Sequence, residues 1–275
     1  MRILVTGGLG FIGRRLCQAL LDEGFDVRCI DRLSGPAAHP SQVRGMDAVI
    51  HLAALPGVRT RCTPAALHAA NVELTDRLAA EAARNRARFV FVSSSSVYGD
   101  ASLLPTPEDS PLAPLNPYAE SKAAAEAAVL ARGGDPVIVR PFTVYGPGQR
   151  PDMAFARWIA AIEAGQPIPW HAAPGTARDF TYVDDAVAGL IAALRHGRGG
   201  EAYNISGFGP VDLRDALALL GAAELRELPS SAAEALVTSG CGRKAEAALG
   251  YSPRVGLAEG LRRQREAATS LSLAA

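Results

Sequence analysis

Lysine is nearly absent from this chain: among 28 Lys and Arg residues, only Lys122 and Lys244 are lysine. Cysteine is scarce as well. Cys17, Cys29, Cys62 and Cys241 are scattered, with no CxxC pair and no histidine close by. That spacing argues against a metal centre or a disulfide framework, gives each thiol a buried or incidental role, and fits a reducing cytoplasm. Net charge is also missing, with 28 acidic residues against 28 basic ones. No basic stripe stands out, which excludes nucleic acid as the expected partner. No apolar run approaches the roughly 18 residues of a membrane helix. The opening Met1–Gly7 runs straight into glycines, unlike a signal-peptide core. What is left is an ordinary soluble composition over 275 residues, 48% apolar and 20% charged, enough for one large or two modest domains.

The glycines come first. Arg2 to Thr6 reads as a short buried strand, followed by Gly7-Gly8-Leu9-Gly10-Phe11-Ile12-Gly13 and a helix to about Glu23. Gly7, Gly10 and Gly13 have the spacing of a dinucleotide loop: one for a tight turn, one for backbone approach to a pyrophosphate, one for helix-on-strand packing. The helix N-terminus supplies free N–H groups and a favourable dipole for the phosphates. Asp26 to Ile30 reads as the second strand and ends at Asp31, where an acid about 20 residues past the loop would hold an adenine-ribose diol. This favours NAD over NADP, although Arg32 alongside could accept a phosphate instead. Only a Pro/Gly-rich loop, Arg32 to Met46, separates Asp31 from the next strand, Ala48 to Leu52. A strand plus crossover needs roughly 30 residues. One βα unit is therefore pared down, so the sheet is expected to lack an edge strand and the adenine pocket to be more open.

An alanine-rich helix follows from Pro64 to Arg84 and carries Asn71. The strand Phe89 to Val92 then runs into Ser93-Ser94-Ser95-Ser96-Val97-Tyr98-Gly99. A serine run is by itself only a polar turn, but at a strand's carboxyl end in an α/β sheet it lies where ligands bind. Tyr118 and Lys122 come next on a helix, four residues apart and hence on one face. An ammonium beside a phenol lowers the tyrosine pKa from about 10 toward neutrality and makes a general base. The bland alternative is an exposed Tyr/Lys pair. Pro136 to Arg140 is another strand. Past Arg150 the alternation loosens into a helix, short extended pieces, a helix from Val183, a strand at Ala202–Ile205 and a helix from Leu213. The expected architecture is α/β: a doubly wound parallel sheet with a smaller C-terminal α/β lobe. Residues 1–150 would form the dinucleotide-binding domain and residues 151–275 mainly the substrate lobe, with some later segments free to return to the sheet.

Taken together, Thr6–Gly13, His51-Leu52-Ala53-Ala54, Ser93–Gly99, Tyr118–Lys122, Arg140–Gly148 and Arg178–Asp185 resemble the extended short-chain dehydrogenase/reductase family of nucleotide-sugar epimerases and dehydratases. The matches keep the family's order and span Met1 to about Arg262. The resemblance implies a Rossmann lobe that holds NAD and a C-terminal lobe for a nucleoside-diphosphate sugar. It makes Tyr118 the base, Lys122 the residue that grips the nicotinamide ribose and depresses the Tyr118 pKa, and Ser94 the hydroxyl on the reacting oxygen. The implied cofactor contacts are Gly7, Gly10, Phe11, Ile12, Gly13, Asp31, Arg32, Leu52, Ala53, Ala54, Asn71, Tyr118, Lys122 and Pro141, with no metal. Arg178 matches the arginine that grips the sugar-nucleotide diphosphate.

Within the family, Ser94-Ser95-Ser96 before Val97-Tyr98-Gly99, Gly57-Val58-Arg59, and Thr143 paired with Arg150 look like UDP-glucuronate 4-epimerases. In those enzymes the matching threonine and arginine help hold a substrate carboxylate. The implied substrate contacts are Ser94, Ser95, Ser96, Thr143, Arg150, Arg178 and Arg59. Family 4,6-dehydratases carry an Asp-Glu pair where Ser95 and Ser96 stand, which argues against water elimination. Uronate decarboxylases usually carry a glutamate at Ser96, a milder objection. A uronate decarboxylase or a 4-keto-sugar reductase on the same fold is the alternative, and a non-catalytic NAD-binding protein is the rival of another class. Family members also suggest a homodimer through the helices at Pro64–Arg84 and Tyr118–Arg132. Pro229-Ser230-Ser231 replaces a Gly-Asp-Val segment that usually helps contact the nucleotide.

Overall fold

The short apolar runs pair into one parallel sheet whose inner strands are buried on both faces. In chain order the elements are β1 (Arg2–Thr6), α1 (Phe11–Asp22), β2 (Asp26–Ile30), β3 (Ala48–His51), α2 (Pro64–His68), α3 (Leu74–Asn85), β4 (Arg88–Val92), α4 (Pro117–Ala131), β5 (Pro136–Pro141), β6 (Val144–Tyr145) and α5 (Ala154–Glu163). They continue as β7 (Ile168–Trp170), β8 (Ala177–Asp179), β9 (Thr181–Tyr182), α6 (Val183–His196), β10 (Ala202–Ile205), β11 (Pro210–Asp212), α7 (Leu213–Ala218), β12 (Leu225–Glu227), α8 (Arg243–Leu249) and α9 (Leu257–Leu273). This computed structural model describes residues 1–33, 37–56, 62–221, 224–229 and 233–273.

The central sheet runs β10-β5-β4-β3-β1-β2, all parallel. Near-continuous apolar strands such as Ile3-Leu4-Val5 suit that position, because helices cover both faces. Ile3 and Val5 pack with Leu16, Leu20, Val187, Leu190 and Leu249 from α1, α6 and α8. Leu4 packs on the other face with Leu78, Ala82, Ala125 and Val129 from α3 and α4. As expected from the pared-down loop, β2 is the edge: its only described strand neighbour is β1, and a short 3-10 turn at Pro40–Val43 replaces the crossover unit. Chain after residue 150 does return to this layer, since β10 pairs with β5 and α6 packs on α1.

A second apolar cluster gathers side chains mainly from residues 144–268. Tyr145, Phe155, Trp158, Trp170, Phe180 and Tyr182 pack on one another, with Tyr145 edge-on to three of these rings. Three two-stranded pairs surround it: β6 with β9, β7 with β12, and β8 with β11. Phe11 and Ile12 at the start of α1 reach into this cluster, and Ile12 also packs on the sheet cluster, so the end of the glycine loop touches both. Among the described residues no helix is long and apolar enough to cross a membrane.

Candidate active site

The glycine loop is shaped by what it excludes. Gly7 has φ +73°, and a Cβ there would sit 2.8 Å from the Ala53 backbone nitrogen, so the segment after β3 lies directly against it. A Cβ on Gly13 would collide with the Gly7 carbonyl oxygen, which is the close helix-on-loop packing expected of the third glycine. α1 starts from Gly10 in extended backbone, with no side chain capping it and no acid in its first turn. Its leading N–H groups are thus left for an anion. The Asp31 carboxylate accepts from Leu9 N at 3.1 Å and from Leu33 N at 3.0 Å, which ties the end of β2 to the loop. Ser93, at the carboxyl end of β4, buries a hydroxyl that has no partner among the described residues. A cradle free of side chains, an uncapped helix start and a buried hydroxyl in need of a partner fit a bound dinucleotide.

Tyr118 enters on the first turn of α4. Asn116 caps that helix by accepting from Ala119 N at 3.0 Å, and Pro117 occupies the first helical position, where a missing N–H costs nothing. Ser94 hydrogen-bonds the half-buried phenol, and the charge of Arg150 faces it. Burial pushes the Tyr118 pKa up, and Ser94 and Arg150 pull it partly back, leaving it above its ordinary value. Ser96 lies in the turn after β4 and donates from both its backbone N (3.2 Å) and its hydroxyl (2.8 Å) to Ser94 Oγ. Ser95 begins the same turn, and Thr143 lies between β5 and β6, its carbonyl accepting from Thr181 N.

Lys122 differs from expectation. Its ammonium is fully buried, donates to the Val92 carbonyl oxygen at 2.6 Å and lies 4.1 Å from the centre of the Phe91 ring. Burial draws its pKa down to about 7, with Glu126 one turn further along holding it up. Four-residue spacing does put Tyr118 and Lys122 on one face of α4. The flexible stem nevertheless carries the ammonium back to the strand, so the charge acting on Tyr118 is that of Arg150.

Behind the site runs a buried polar chain that the spacing of motifs does not reveal. Thr75 gives its hydroxyl proton to Asn71 O (2.7 Å), so it accepts from His51 Nε2 (2.9 Å), which leaves His51 Nδ1 to accept from Thr6 (2.6 Å). Burial, helped by the Lys122 charge, draws His51 down to about 3, so it stays neutral. Asn71 sits in a wider π-type turn between α2 and α3. It donates to Leu55 O (3.1 Å) and Ser121 Oγ (3.0 Å) and accepts from Leu55 N (2.7 Å). Ser121 in turn donates to Tyr118 O at 2.7 Å. The amide protons of Asn71, an expected cofactor contact, hold the chain beyond Leu52, Ala53 and Ala54 and the start of α4. The signal for this chain was polar residues, Thr6 and His51, closing otherwise apolar strands.

A second network braces the serine turn. Arg140 at the end of β5 forms a buried two-pronged pair with Glu126 (3.0 and 2.6 Å) and donates to Tyr98 Oη at 2.7 Å. Tyr98 then donates to Asn204 Oδ1 on β10 at 2.8 Å. Pro141 follows Arg140 and pairs in register with Ile205.

The expected substrate arginines already hold carboxylates. Arg150 donates to the Asp152 carboxylate from two nitrogens, at 2.9 and 3.0 Å. Arg178 donates to the carbonyls of Ala177 (2.9 Å) and Leu236 (3.1 Å) and to Glu234 Oε2 (3.3 Å). Arg32 is exposed beside Asp31. Arg59, with Gly57 and Val58, lies outside the described residues, as do Ser230 and Ser231. Among the described residues no three His, Cys, Asp or Glu side chains gather as a metal site.

The model of the NAD dependent epimerase/dehydratase family matches residues 3–206. The chain is 38% identical over 247 residues to a Bacillus subtilis (strain 168) protein described as an uncharacterized UDP-glucose epimerase, YtcB, covering 75% of this chain and 77% of that one. It is 32% identical over 304 residues to a dTDP-glucose 4,6-dehydratase of Streptomyces niveus, covering 95% and 90%. Its fold superposes with a TM-score of 0.92 and 33% identity on the UDP-glucuronic acid 4-epimerase of Bacillus cereus, crystallised with UDP-glucuronic acid and NAD, over 98% of this chain and 100% of that one.

Proposed function

The chain belongs to the NAD-dependent epimerase/dehydratase family, and from that premise we propose that it is a 4-epimerase of UDP-glucuronate. Bound NAD supplies the reversible hydride acceptor that oxidation and re-reduction at C4 require. Tyr118 takes the proton of the C4 hydroxyl and later returns it, while Ser94 donates to the same oxygen and orients it. The Arg150 charge favours the phenolate form of Tyr118. Lys122, its pKa drawn down to about 7, would hold the nicotinamide ribose on releasing the Val92 carbonyl. The 4-keto sugar turns over in the cleft and is reduced on its other face.

The observation that carries the uronate reading is Arg150. Its charge reaches the base, and its fork already holds a carboxylate, Asp152, in the two-pronged geometry that suits a guanidinium. A C6 carboxylate takes the place of Asp152, with Thr143 alongside. Clamping that group keeps its C–CO₂⁻ bond from aligning perpendicular to the C4 carbonyl plane and so suppresses decarboxylation. Arg178 exchanges Glu234 for the diphosphate. Ser95 and Ser96 offer no acid–base pair for eliminating water. The enzyme works in the cytoplasm as a homodimer through the exposed faces of α3 and α4.

Incubation with UDP-glucuronate followed by NMR tests this: UDP-galacturonate should accumulate with no other sugar formed. Release of CO₂ or recovery of only unchanged substrate would refute the epimerase. Tyr118→Phe should lower turnover by about 10²–10⁴-fold while NAD binding persists.

A further inference from the structure

The loop that should cradle the dinucleotide rests on two thiols. Cys17 lies on α1, one turn beyond Gly13, and Cys29 on β2, paired in register with Val5 of β1. Their sulfurs are 3.0 Å apart. A bonded pair sits at about 2.05 Å, so roughly 1 Å of approach separates the two thiols from a disulfide. Strand alternation turns Val27 and Cys29 toward α1, and with no strand beyond β2 among the described residues Cys29 is exposed to solvent. Cys17 is half-buried, and burial together with the contact to Cys29 pushes its pKa up to about 12. Cys17 therefore stays a thiol, and Cys29 is the sulfur that a reagent meets first.

We propose that Cys17 and Cys29 form a reversible oxidation site for two-electron thiol oxidants of the peroxide class, coupled to dinucleotide binding. The Cys29 thiol gives its proton to solvent, its sulfur attacks one peroxide oxygen, the O–O bond breaks, and the leaving oxygen takes a proton from solvent, giving Cys29 sulfenic acid and an alcohol, or water when hydrogen peroxide is used. The Cys17 sulfur then attacks Cys29, the S–O bond breaks, and the hydroxyl leaves as water with the Cys17 proton. Two thiols are oxidised and one peroxide is reduced. A small thiol reverses the step by exchange.

The coupling follows from what touches the sulfurs. Gly8 packs directly on them: a Cβ there would overlap Cys29 Sγ and lie 3.1 Å from Cys17 Sγ. The residue after Cys29 anchors the loop, with the Ile30 carbonyl accepting from Gly7 N at 2.8 Å and from Gly8 N at 3.4 Å. One residue further, Asp31 accepts from Leu9 N. Drawing Cys29 toward α1 moves this support from beneath the cradle while leaving the Tyr118 region untouched.

The test uses the full chain stripped of nucleotide, fully reduced or treated with one equivalent of hydrogen peroxide. Non-reducing peptide mapping reads the linkage, and titration calorimetry reads NAD affinity. The expected result is a Cys17–Cys29 linked peptide and NAD affinity about tenfold weaker, restored by dithiothreitol. By reciprocity, saturating NAD should disfavour the disulfide by about the same factor in a glutathione redox titration. Cys17→Ser and Cys29→Ser, each checked for reduced-state NAD affinity, should abolish the peroxide effect. A pairing that involves Cys62, Cys241 or a second chain would overturn the proposal. So would a linked protein that binds NAD as well as the reduced one, or a serine variant that loses affinity on oxidation as the parent does.

Discussion

Lys122→Met should make the protein more stable near neutral pH and disable it as a catalyst. Lys122 is 2% exposed, and its pKa falls from the ordinary 10.5 to about 7. Each tenfold loss of proton affinity is about 1.4 kcal/mol, so holding the charged form in the fold costs up to roughly 5 kcal/mol. Against this, methionine loses the hydrogen bond to the Val92 carbonyl, about 1–3 kcal/mol, and part of the contact with Phe91. The expected net gain is about 1–3 kcal/mol at pH 6.5. The pH dependence separates this cause from a simple packing gain. Below about pH 7 both the folded and the unfolded lysine are protonated and the cost is fully present. Between 7 and 10.5 the unfolded chain keeps a proton that the folded one has shed, so the parent gains stability as pH rises. The advantage of Lys122→Met should therefore shrink by about 3 kcal/mol between pH 6.5 and 9.5 and change sign. Urea denaturation of both proteins at the two pH values checks this. A gap that stays constant within about 0.5 kcal/mol would refute the reasoning, because the buried ammonium would then carry no titrating cost.

Glu126→Ala leaves the Arg140 guanidinium buried without its counter-charge and should cost about 3–5 kcal/mol in urea denaturation, with Glu126→Gln milder because it keeps an acceptor. A loss below about 1 kcal/mol for the alanine variant would mean that solvent reaches Arg140. Gly7→Ala forces a side chain into φ +73° and against Ala53, so it should strain the loop by about 1–3 kcal/mol and abolish NAD retention on a desalting column. Undiminished retention would show that the loop can open to admit a methyl group.

The parallel layer was legible because buried strands announce themselves as apolar runs. Ile3-Leu4-Val5, Val49-Ile50 and Phe89–Val92 need no long-range information to be placed in a covered sheet. That β2 has no strand beyond it among the described residues was equally readable, since 15 residues or so cannot hold a crossover unit. The small C-terminal pairs were harder to see: β6 and β9 are two residues each, and their partners are chosen by the aromatic cluster around Tyr145 rather than by local pattern. In the site, Tyr118 stood out by its spacing from Lys122, Ser94 was singled out only by the family resemblance, and the Ser94 hydroxyl lies by the Tyr118 phenol.

By itself, the sequence determined the glycine turn, the acid that ends the second strand, the serine turn and the place of Tyr118 on its helix. Each of these depends on backbone conformation or on periods of two and 3.6 residues, which are local. Only the tertiary structure decided which charge acts on Tyr118, because side-chain reach and burial send Lys122 to the Val92 carbonyl and bring Arg150 from beyond β6. It also decided that Thr6, His51, Thr75, Asn71 and Ser121 form one hydrogen-bonded chain, and that Cys17 and Cys29, twelve residues apart, share a contact. Such pairings cross between strands and helices, where separation along the chain says nothing about distance in space.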